Sequence, residues 1–364
     1  MRVIFDNEIF LIQKYGGATR YFYELIRRLP ALDAKILLYM GKFINEYGLE
    51  KFRNNFLVFS GRKIRHIPKT KLISITLQKP LFEKFAEKQE FDVFHQTYYA
   101  DINLKKKFRH IITVHDFTHE NLRSNFSKLD KTSERKRKAI LKADGIICVS
   151  ESTRKDLLNM YEVDSKKIKV IYHGNSLKYD VSEPPIVGNP YFLYIGDRRS
   201  YKNFGVIIKL FEINKELKLN FKLVCCGGGP FTKDETELIN KAGLADNFIQ
   251  TEARDKKIAN LYLYASAFIY PSKYEGFGIP MIEAMYYGCP VIASNISSLP
   301  EVGSEAALYF NPDSPEELSE KVNMILNNSD LKSSIKIKGR EREKCFSWDK
   351  CAEETYEFYK EVCG

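Results

Sequence analysis

Short apolar runs separated by amphipathic stretches dominate the pattern along this chain. Residues 2–5, 34–39, 91–94, 110–114, 145–149 and 168–172 each read as a strand. Helical patterns intervene around residues 18–29, 72–90, 132–142 and 152–161, and only residues 41–70 lack a clear period. Short apolar runs alternating with helices predict βαβ units and a parallel sheet covered on both faces. Residues 180–190, Asp-Val-Ser-Glu-Pro-Pro-Ile-Val-Gly-Asn-Pro, are rich in turn formers and read as a linker. The pattern then restarts at Tyr191-Phe-Leu-Tyr-Ile195 and continues through 221–226, 247–250, 267–270, 291–293 and 307–310. Ser314-Pro-Glu-Glu317 opens a further helix with a capping box and a proline at its first position. The expectation is an α/β chain of two domains, residues 1–180 and 181–346, each an open parallel sheet. Such sheets bind ligands in crevices at the carboxyl ends of their strands.

One of those strand ends carries Pro271-Ser-Lys-Tyr-Glu275-Gly-Phe-Gly-Ile-Pro280-Met-Ile-Glu283. Pro280 suits the first position of a helix, where a missing N–H costs nothing. Glu275 then sits in the strand-to-helix loop and Glu283 about one turn inside the helix. Backbone N–H groups at a helix N-terminus favour an anion between the two carboxylates. Gly276 and Gly278 let a ligand approach the backbone closely. Phosphate flanked by carboxylates that accept from hydroxyls is the outline of a nucleotide sugar. A plain strand–loop–helix with surface glutamates is the competing reading.

Gly196-Asp-Arg198-Arg199-Ser-Tyr-Lys202-Asn203 follows the first strand of the second half. Its three cations suit a diphosphate leaving group, an arginine through its fork and Lys202 as a point charge. The spacing leaves Arg198 or Arg199 as the arginine; Arg198 is preferred. Tyr15-Gly16-Gly17-Ala18-Thr19-Arg20 joins the first strand to the first helix, and a glycine pair there admits phosphate or sugar. His115-Asp116 leaves a central strand at the edge where such folds bind ligands. Cys226-Gly-Gly-Gly-Pro230 lacks the spacing of a dinucleotide fingerprint, because Pro230 interrupts it.

Taken together, the Glu275–Glu283 pair, its Gly-Phe-Gly core, the strand before it and the strand at 290–294 resemble the E-x7-E region of GT4-type retaining glycosyltransferases. The resemblance implies the GT-B fold, two Rossmann-like domains facing each other across a cleft, with a last helix (347–364) returning to the first. It implies transfer of a hexose from a nucleotide diphosphate sugar, GDP- or UDP-linked, to a glycan or lipid-linked oligosaccharide acceptor. By this resemblance Glu275 contacts the donor sugar, Glu283 the ribose, and the backbone of Gly276, Phe277, Gly278 and Ile279 the sugar or phosphate. Lys202 and Arg198 hold the diphosphate, Gly16 and Gly17 form the N-terminal glycine loop, and His115 supports the transferred sugar. The Gly-Gly-x-x-Arg-Tyr form of that loop is similar to enzymes of bacterial surface-polysaccharide (lipopolysaccharide, O-antigen) assembly, several of which use GDP-mannose. A GT-B epimerase or phosphorylase, and a non-catalytic glycan-binding subunit, remain alternatives. Sugar-nucleotide turnover without acceptor, a phosphate requirement, or binding without turnover would mark them.

Composition adds the setting. The 364 residues are 44% hydrophobic, ample for two cores. No run approaches the ~20 apolar residues that span a bilayer, and Asp6 and Glu8 argue against a signal peptide. The seven cysteines show no metal or disulfide spacing, which favours a reducing, cytoplasmic setting. No Asp-x-Asp pair stands at a strand end, so no cofactor or metal is expected. The net charge of +10 is uneven: residues 1–178 hold 35 Lys and Arg against 20 Asp and Glu, the remainder 22 against 27. Such asymmetry suggests that the first half faces an anionic surface. Without any nucleic-acid motif, nucleic acid is not the expected partner; an anionic membrane on its cytoplasmic face fits better, and a merely solvated surface is the bland reading. Residues 62–88, 105–109 and 135–138 mix cations with apolar groups and would supply peripheral attachment.

Overall fold

The computed structural model describes residues 1–64 and 71–364, and they divide into two compact units. Residues 1–173 and 347–364 form the first; residues 174–346 form the second. The first stretch of the first unit ends at His173, ahead of the turn-rich linker.

The first unit holds seven parallel strands: β1 (Arg2–Phe5), β2 (Lys35–Phe43), β3 (Val58–Lys63), β4 (Val93–Gln96), β5 (Arg109–Val114), β6 (Gly145–Cys148) and β7 (Ile168–Val170). Their order is β3-β2-β1-β4-β5-β6-β7, and β1 pairs Val3 with Ile36 on one side and Val93 on the other. The apolar runs are buried because both faces are covered. Strand β3 was not legible within residues 41–70: it is a half-exposed edge strand, Val-Phe-Ser-Gly-Arg-Lys, with no face to bury.

The last helix, Trp348–Cys363, belongs to the first unit and starts at Ser347, whose hydroxyl caps the Asp349 and Lys350 N–H groups. It lies so close to β6 that a Cβ on Gly145 would stand 3.0 Å from the Phe358 ring. Its Tyr359 hydroxyl meets His95 Nδ1 at 2.5 Å, while His95 Nε2 meets Thr113 Oγ1 at 2.9 Å. Thr113 in turn meets the Tyr21 hydroxyl at 3.0 Å. This buried chain ties the last helix to β4, β5 and the first long helix, Gly17–Arg28.

The basic segments expected to supply peripheral attachment are partly packed into the first unit. In the helix Lys71–Ala86, Phe82 and Ala86 are buried beside Tyr39 and Phe94, and Phe85 packs against the same cluster. Leu77 and Leu81 remain exposed. Lys69, and the side chains of Lys71, Ile73 and Ile75, lie outside the described residues. Within 135–138, Arg135 pairs with buried Glu8, and Lys138 with Glu134. Lys136, only 2% exposed, donates to Glu120 and to the Asp116 carbonyl, both at 2.8 Å. Arg135 and Lys136 are thus engaged inside the unit, while Arg137 and Lys138 remain exposed.

The second unit holds β8 (Tyr191–Ile195), β9 (Lys222–Cys226), β10 (Phe248–Thr251), β11 (Ala267–Tyr270), β12 (Val291–Ser294) and β13 (Leu308–Phe310). Their order is β10-β9-β8-β11-β12-β13, all parallel. Phe192, Phe211, Leu223, Ile269 and Ile292 lie in its core, each with no exposed surface. Both sheets reverse direction of growth beside their first strand, the arrangement that opens a crevice at the carboxyl edge.

Candidate functional site

In the second sheet the reversal falls at β8, which lies between β9 and β11. The loops leaving β8 and β11 are zipped together. The Lys273 N–H donates to the Tyr201 carbonyl at 2.8 Å. Asn203, in a left-handed conformation (φ +56°), donates through Nδ2 to the carbonyls of Pro271 at 3.1 Å and Pro312 at 2.6 Å. Lys202 Nζ donates to Glu275 Oε1 at 2.6 Å, with side chains 19% and 13% exposed.

Glu275 is held from behind by the loop after β12. Its N–H donates to Ser297 Oγ at 2.9 Å, and the Ser298 hydroxyl faces the carbonyls of Glu275 and Phe277 at 2.9 and 3.0 Å. Gly278 turns the chain at φ +107°, with Leu299 Cδ2 only 3.0 Å from where a Cβ would stand. The helix Ile279–Tyr286 begins there, with Pro280 in its first turn. Gly276, Phe277, Gly278 and Ile279 therefore line one continuous entry into this helix. Glu283 sits one turn in and is buried; the Tyr262 hydroxyl faces its Oε2 at 3.4 Å and the Pro280 carbonyl at 3.0 Å.

Burial alone would push the Lys202 ammonium down, but the Glu275 carboxylate and the Tyr201 hydroxyl outweigh it and hold the pKa above the ordinary value. Burial, and then the charge of Glu275, raise the Tyr270 phenol far above its usual range. The pair is a cation and an anion fixed a hydrogen bond apart at a half-buried edge. That arrangement can receive a phosphate on Lys202 and a hydroxyl on Glu275 with little rearrangement.

Arg198, expected at the diphosphate, is engaged by protein acceptors here. Its Nε donates to Glu235 Oε1 at 2.9 Å, Nη1 to the Gly227 carbonyl at 3.0 Å, and Nη2 to the carbonyls of Gly229 at 3.0 Å and Pro230 at 2.9 Å. Its side chain is 2% exposed. The guanidinium lies inside the turn after β9, so it is committed to protein acceptors. Arg199 is 68% exposed and paired with Asp197.

Gly16, Gly17 and His115 belong to the first unit. Gly16 precedes the helix Gly17–Arg28, and a Cβ there would meet Gln13 Oε1 at 2.6 Å. The Gln13 carboxamide stands in for a cap, accepting from the Thr19 hydroxyl at 2.6 Å and the Thr19 N–H at 3.3 Å. His115 leaves the end of β5 with both ring nitrogens buried and without a hydrogen-bond partner among the described residues. Burial lowers its pKa to about 4, against the opposing pull of Asp116. A neutral imidazole with two unanswered nitrogens is a group that a ligand hydroxyl can satisfy. Asp116 accepts from the Thr118 N–H at 2.9 Å and shapes the backbone that follows.

Asn203, Ser297, Ser298 and Tyr270 were missed from the sequence. Asn203 had a signal: asparagine directly after Lys202 at a strand-to-helix turn suits a left-handed position. The serine pair after β12 reads only as loop composition until β12 and β11 are known to be neighbours. Among the described residues, no group of three His, Cys, Asp or Glu side chains is placed to hold a metal ion.

Two parallel-sheet Rossmann-like units, with an ion pair at the switch point of the second, define the GT-B architecture. Sucrose-phosphate synthase from Thermosynechococcus elongatus superposes with a TM-score of 0.78 at 20% identity, covering 99% of this chain and 98% of that one. HepE from Anabaena, solved with UDP-glucose, superposes with a TM-score of 0.75 at 16% identity, over 99% and 100% of the two chains. Residues 15–178 match Glycosyltransferase Family 4, and residues 178–342 match Glycosyl transferases group 1. The chain belongs to this family of glycosyltransferases. The O-antigen chain mannosyltransferase B of Escherichia coli is 25% identical to it, over 99% of this chain and all of that protein.

Proposed function

We propose that this glycosyltransferase transfers a hexose, mannose first among candidates, with retention of anomeric configuration and without a metal. The donor is a GDP- or UDP-linked sugar, and the acceptor is a glycan or lipid-linked oligosaccharide of a surface polysaccharide. The observation that carries the reading is the Lys202–Glu275 pair across the switch point, beside the helix Ile279–Tyr286. Mannose rests on the E. coli mannosyltransferase, which matches along its whole length. UDP stays in play because HepE is solved with UDP-glucose.

In this reading the C1–O bond to the β-phosphate breaks and an acceptor oxygen bonds to C1 on the same face. The acceptor proton passes to the departing phosphate. Lys202 stabilises the charge that gathers on that phosphate, and a positioned cation acts most strongly where charge develops. Glu275 accepts from a donor-sugar hydroxyl, Glu283 from the ribose, and the backbone of Gly276–Ile279 approaches the sugar and phosphate. His115 and the Gly16-Gly17 turn are assigned by the family resemblance to the transferred sugar and the acceptor.

Lys84 and Lys88 are exposed on the same stretch as Leu77 and Leu81, which supports peripheral attachment to an anionic cytoplasmic leaflet. No helix among the described residues is long and apolar enough to cross a membrane. The test of the function is a screen of UDP-, GDP- and ADP-sugars for thermal stabilisation and hydrolysis, followed by transfer to a lipid-linked acceptor. Stabilisation by GDP-mannose with transfer of mannose is the expected result. Epimerised donor with no transfer would replace the reading.

A further inference from the structure

Arg198 lies inside a turn that has no reason to close without it. Gly227, Gly228 and Gly229 take φ values of +92°, +71° and +75°, three successive left-handed residues. This brings the carbonyls of Gly227, Gly229 and Pro230 onto one guanidinium. A Cβ on Gly228 would stand 2.8 Å from Arg198 Nη1 and 3.0 Å from the Gly196 carbonyl, so the wrap is tight on both sides. Phe231 covers the guanidinium, its ring centroid 4.9 Å from the Cζ atom. Glu235 closes the arrangement from the next helix, Lys233–Lys241. Its Oε1 accepts from Arg198, and its Oε2 accepts from the Thr232 N–H at 2.7 Å. One carboxylate thus joins the loop after β8 to the cap of the helix after β9. Converging carbonyls repel one another unless a cation sits among them, and only a planar fork reaches three of them and a carboxylate together.

We propose that Arg198 and Glu235 are positioning residues: they shape the Gly227–Pro230 turn as a wall of the nucleotide site, and Arg198 does not itself bind the diphosphate. Strand β9 lies next to β8, so its carboxyl-end turn borders the loop that carries Lys202. The proposal rests on the donor-site reading above and deepens it. Lys202 is then the cation at the phosphate, and the turn sets where the nucleotide lies.

The test compares Glu235→Ala, which leaves the Arg198 charge in place, with Arg198→Lys, which keeps the charge and loses the fork. Calorimetry with UDP, GDP, UMP and GMP reads nucleotide affinity. Amide hydrogen exchange of residues 227–236 reads the turn without ligand. Both variants should weaken the diphosphate and its monophosphate by the same factor, about tenfold, and the double variant should be no worse than either, as for groups acting in one network. Exchange in 227–236 should rise in both. The proposal is overturned if Arg198→Lys weakens the diphosphate far more than the monophosphate while Glu235→Ala binds normally. It is equally overturned if both variants merely melt earlier and bind as well as the wild type. If wild-type protein binds neither UDP nor GDP, the donor reading has failed; unchanged exchange in 227–236 would then still overturn the clamp.

Discussion

Lys202 Nζ and Glu275 Oε1 stand 2.6 Å apart, a contact between residues 73 positions distant in sequence that bridges the loops after β8 and β11. Each is set by a different part of the fold: Lys202 by the left-handed Asn203 beside it, Glu275 by Ser297 and Ser298 behind it. Neither side chain is free to wander, which is what preorganisation at a transferring phosphate requires.

Lys202→Ala and Glu275→Gln should each lower turnover by about 10²–10³-fold, the scale for losing one positioned electrostatic group. Glu275→Gln keeps the shape and leaves Lys202 with an oxygen acceptor. Glu275→Ala should cost stability as well, because it strands a half-buried ammonium. Steady-state transfer, read beside thermal melts, checks this. A folded Lys202→Ala protein with near-normal transfer would remove the assignment.

Glu283→Gln should weaken donor affinity and change the catalytic step little. Its carboxylate is buried beside the Tyr262 hydroxyl, one turn into the helix. A contact made equally in ground and transition states changes KM more than kcat. Unchanged donor affinity by calorimetry would contradict the ribose role.

Acid should unfold the first unit before the second. All six histidines fall within residues 1–173. Burial lowers the pKa of His110 and His115 to about 4, and His95, His119 and His173 are also lowered by burial. Each folded pKa lies below the ordinary 6.5, so the unfolded chain binds more protons below that pH. Their stabilisation is complete above pH 6.5 and is lost as pH falls toward 4. A shift to about 4 corresponds to roughly 3 kcal/mol for one such group. Glu8, raised to about 7 by burial, and Asp6, also raised by burial, work in the opposite direction and offset part of it. Hydrogen exchange from pH 8 to pH 4 should show residues 1–173 losing protection while 174–346 keep theirs. Simultaneous loss in both units would show that the imidazoles do not decide it.

The two sheets were legible because their strands are buried on both faces and so read as apolar runs. The glutamate pair was legible because Gly276, Gly278 and Pro280 mark the loop and the helix start. What could not be read was direction. Arg198 and Arg199 are neighbours in sequence, yet one is wrapped by carbonyls and the other is exposed. That difference arises from three glycines at 227–229, and only the pairing of β8 with β9 brings them near. Lys136 misled in the same way: within a run of four cations it is the buried one, neutralised by Glu120 across a helix packing contact.

Transfer should persist in excess EDTA. In the proposed donor complex, Lys202 and the helix N-terminus would supply the positive character at the phosphate that a divalent ion supplies in metal-dependent transferases. Loss of activity on chelation, restored by one added metal, would reveal a metal site in the donor complex.

Membrane attachment should be reversible and weaker than the charge surplus of the first half suggests. Among the described residues, cations exposed beside apolar groups include Lys84 and Lys88 near Leu77 and Leu81, and Lys105 and Lys107 near Phe108. Each Lys or Arg near an anionic surface contributes about 1 kcal/mol, so a few clustered ones suffice for reversible binding. Phe82 and Ala86 cannot enter a bilayer, because they fill the core beside Phe94. Vesicle flotation should therefore show binding that requires anionic lipid and falls with added salt. Leu77→Ser with Leu81→Ser should weaken it, as should Lys84→Gln with Lys88→Gln, both without loss of fold. Neutralising Lys136 should instead unfold the protein, since that ammonium is buried against Glu120. Equal partitioning onto neutral and anionic vesicles, or none onto either, would sink the proposal of an electrostatic membrane face.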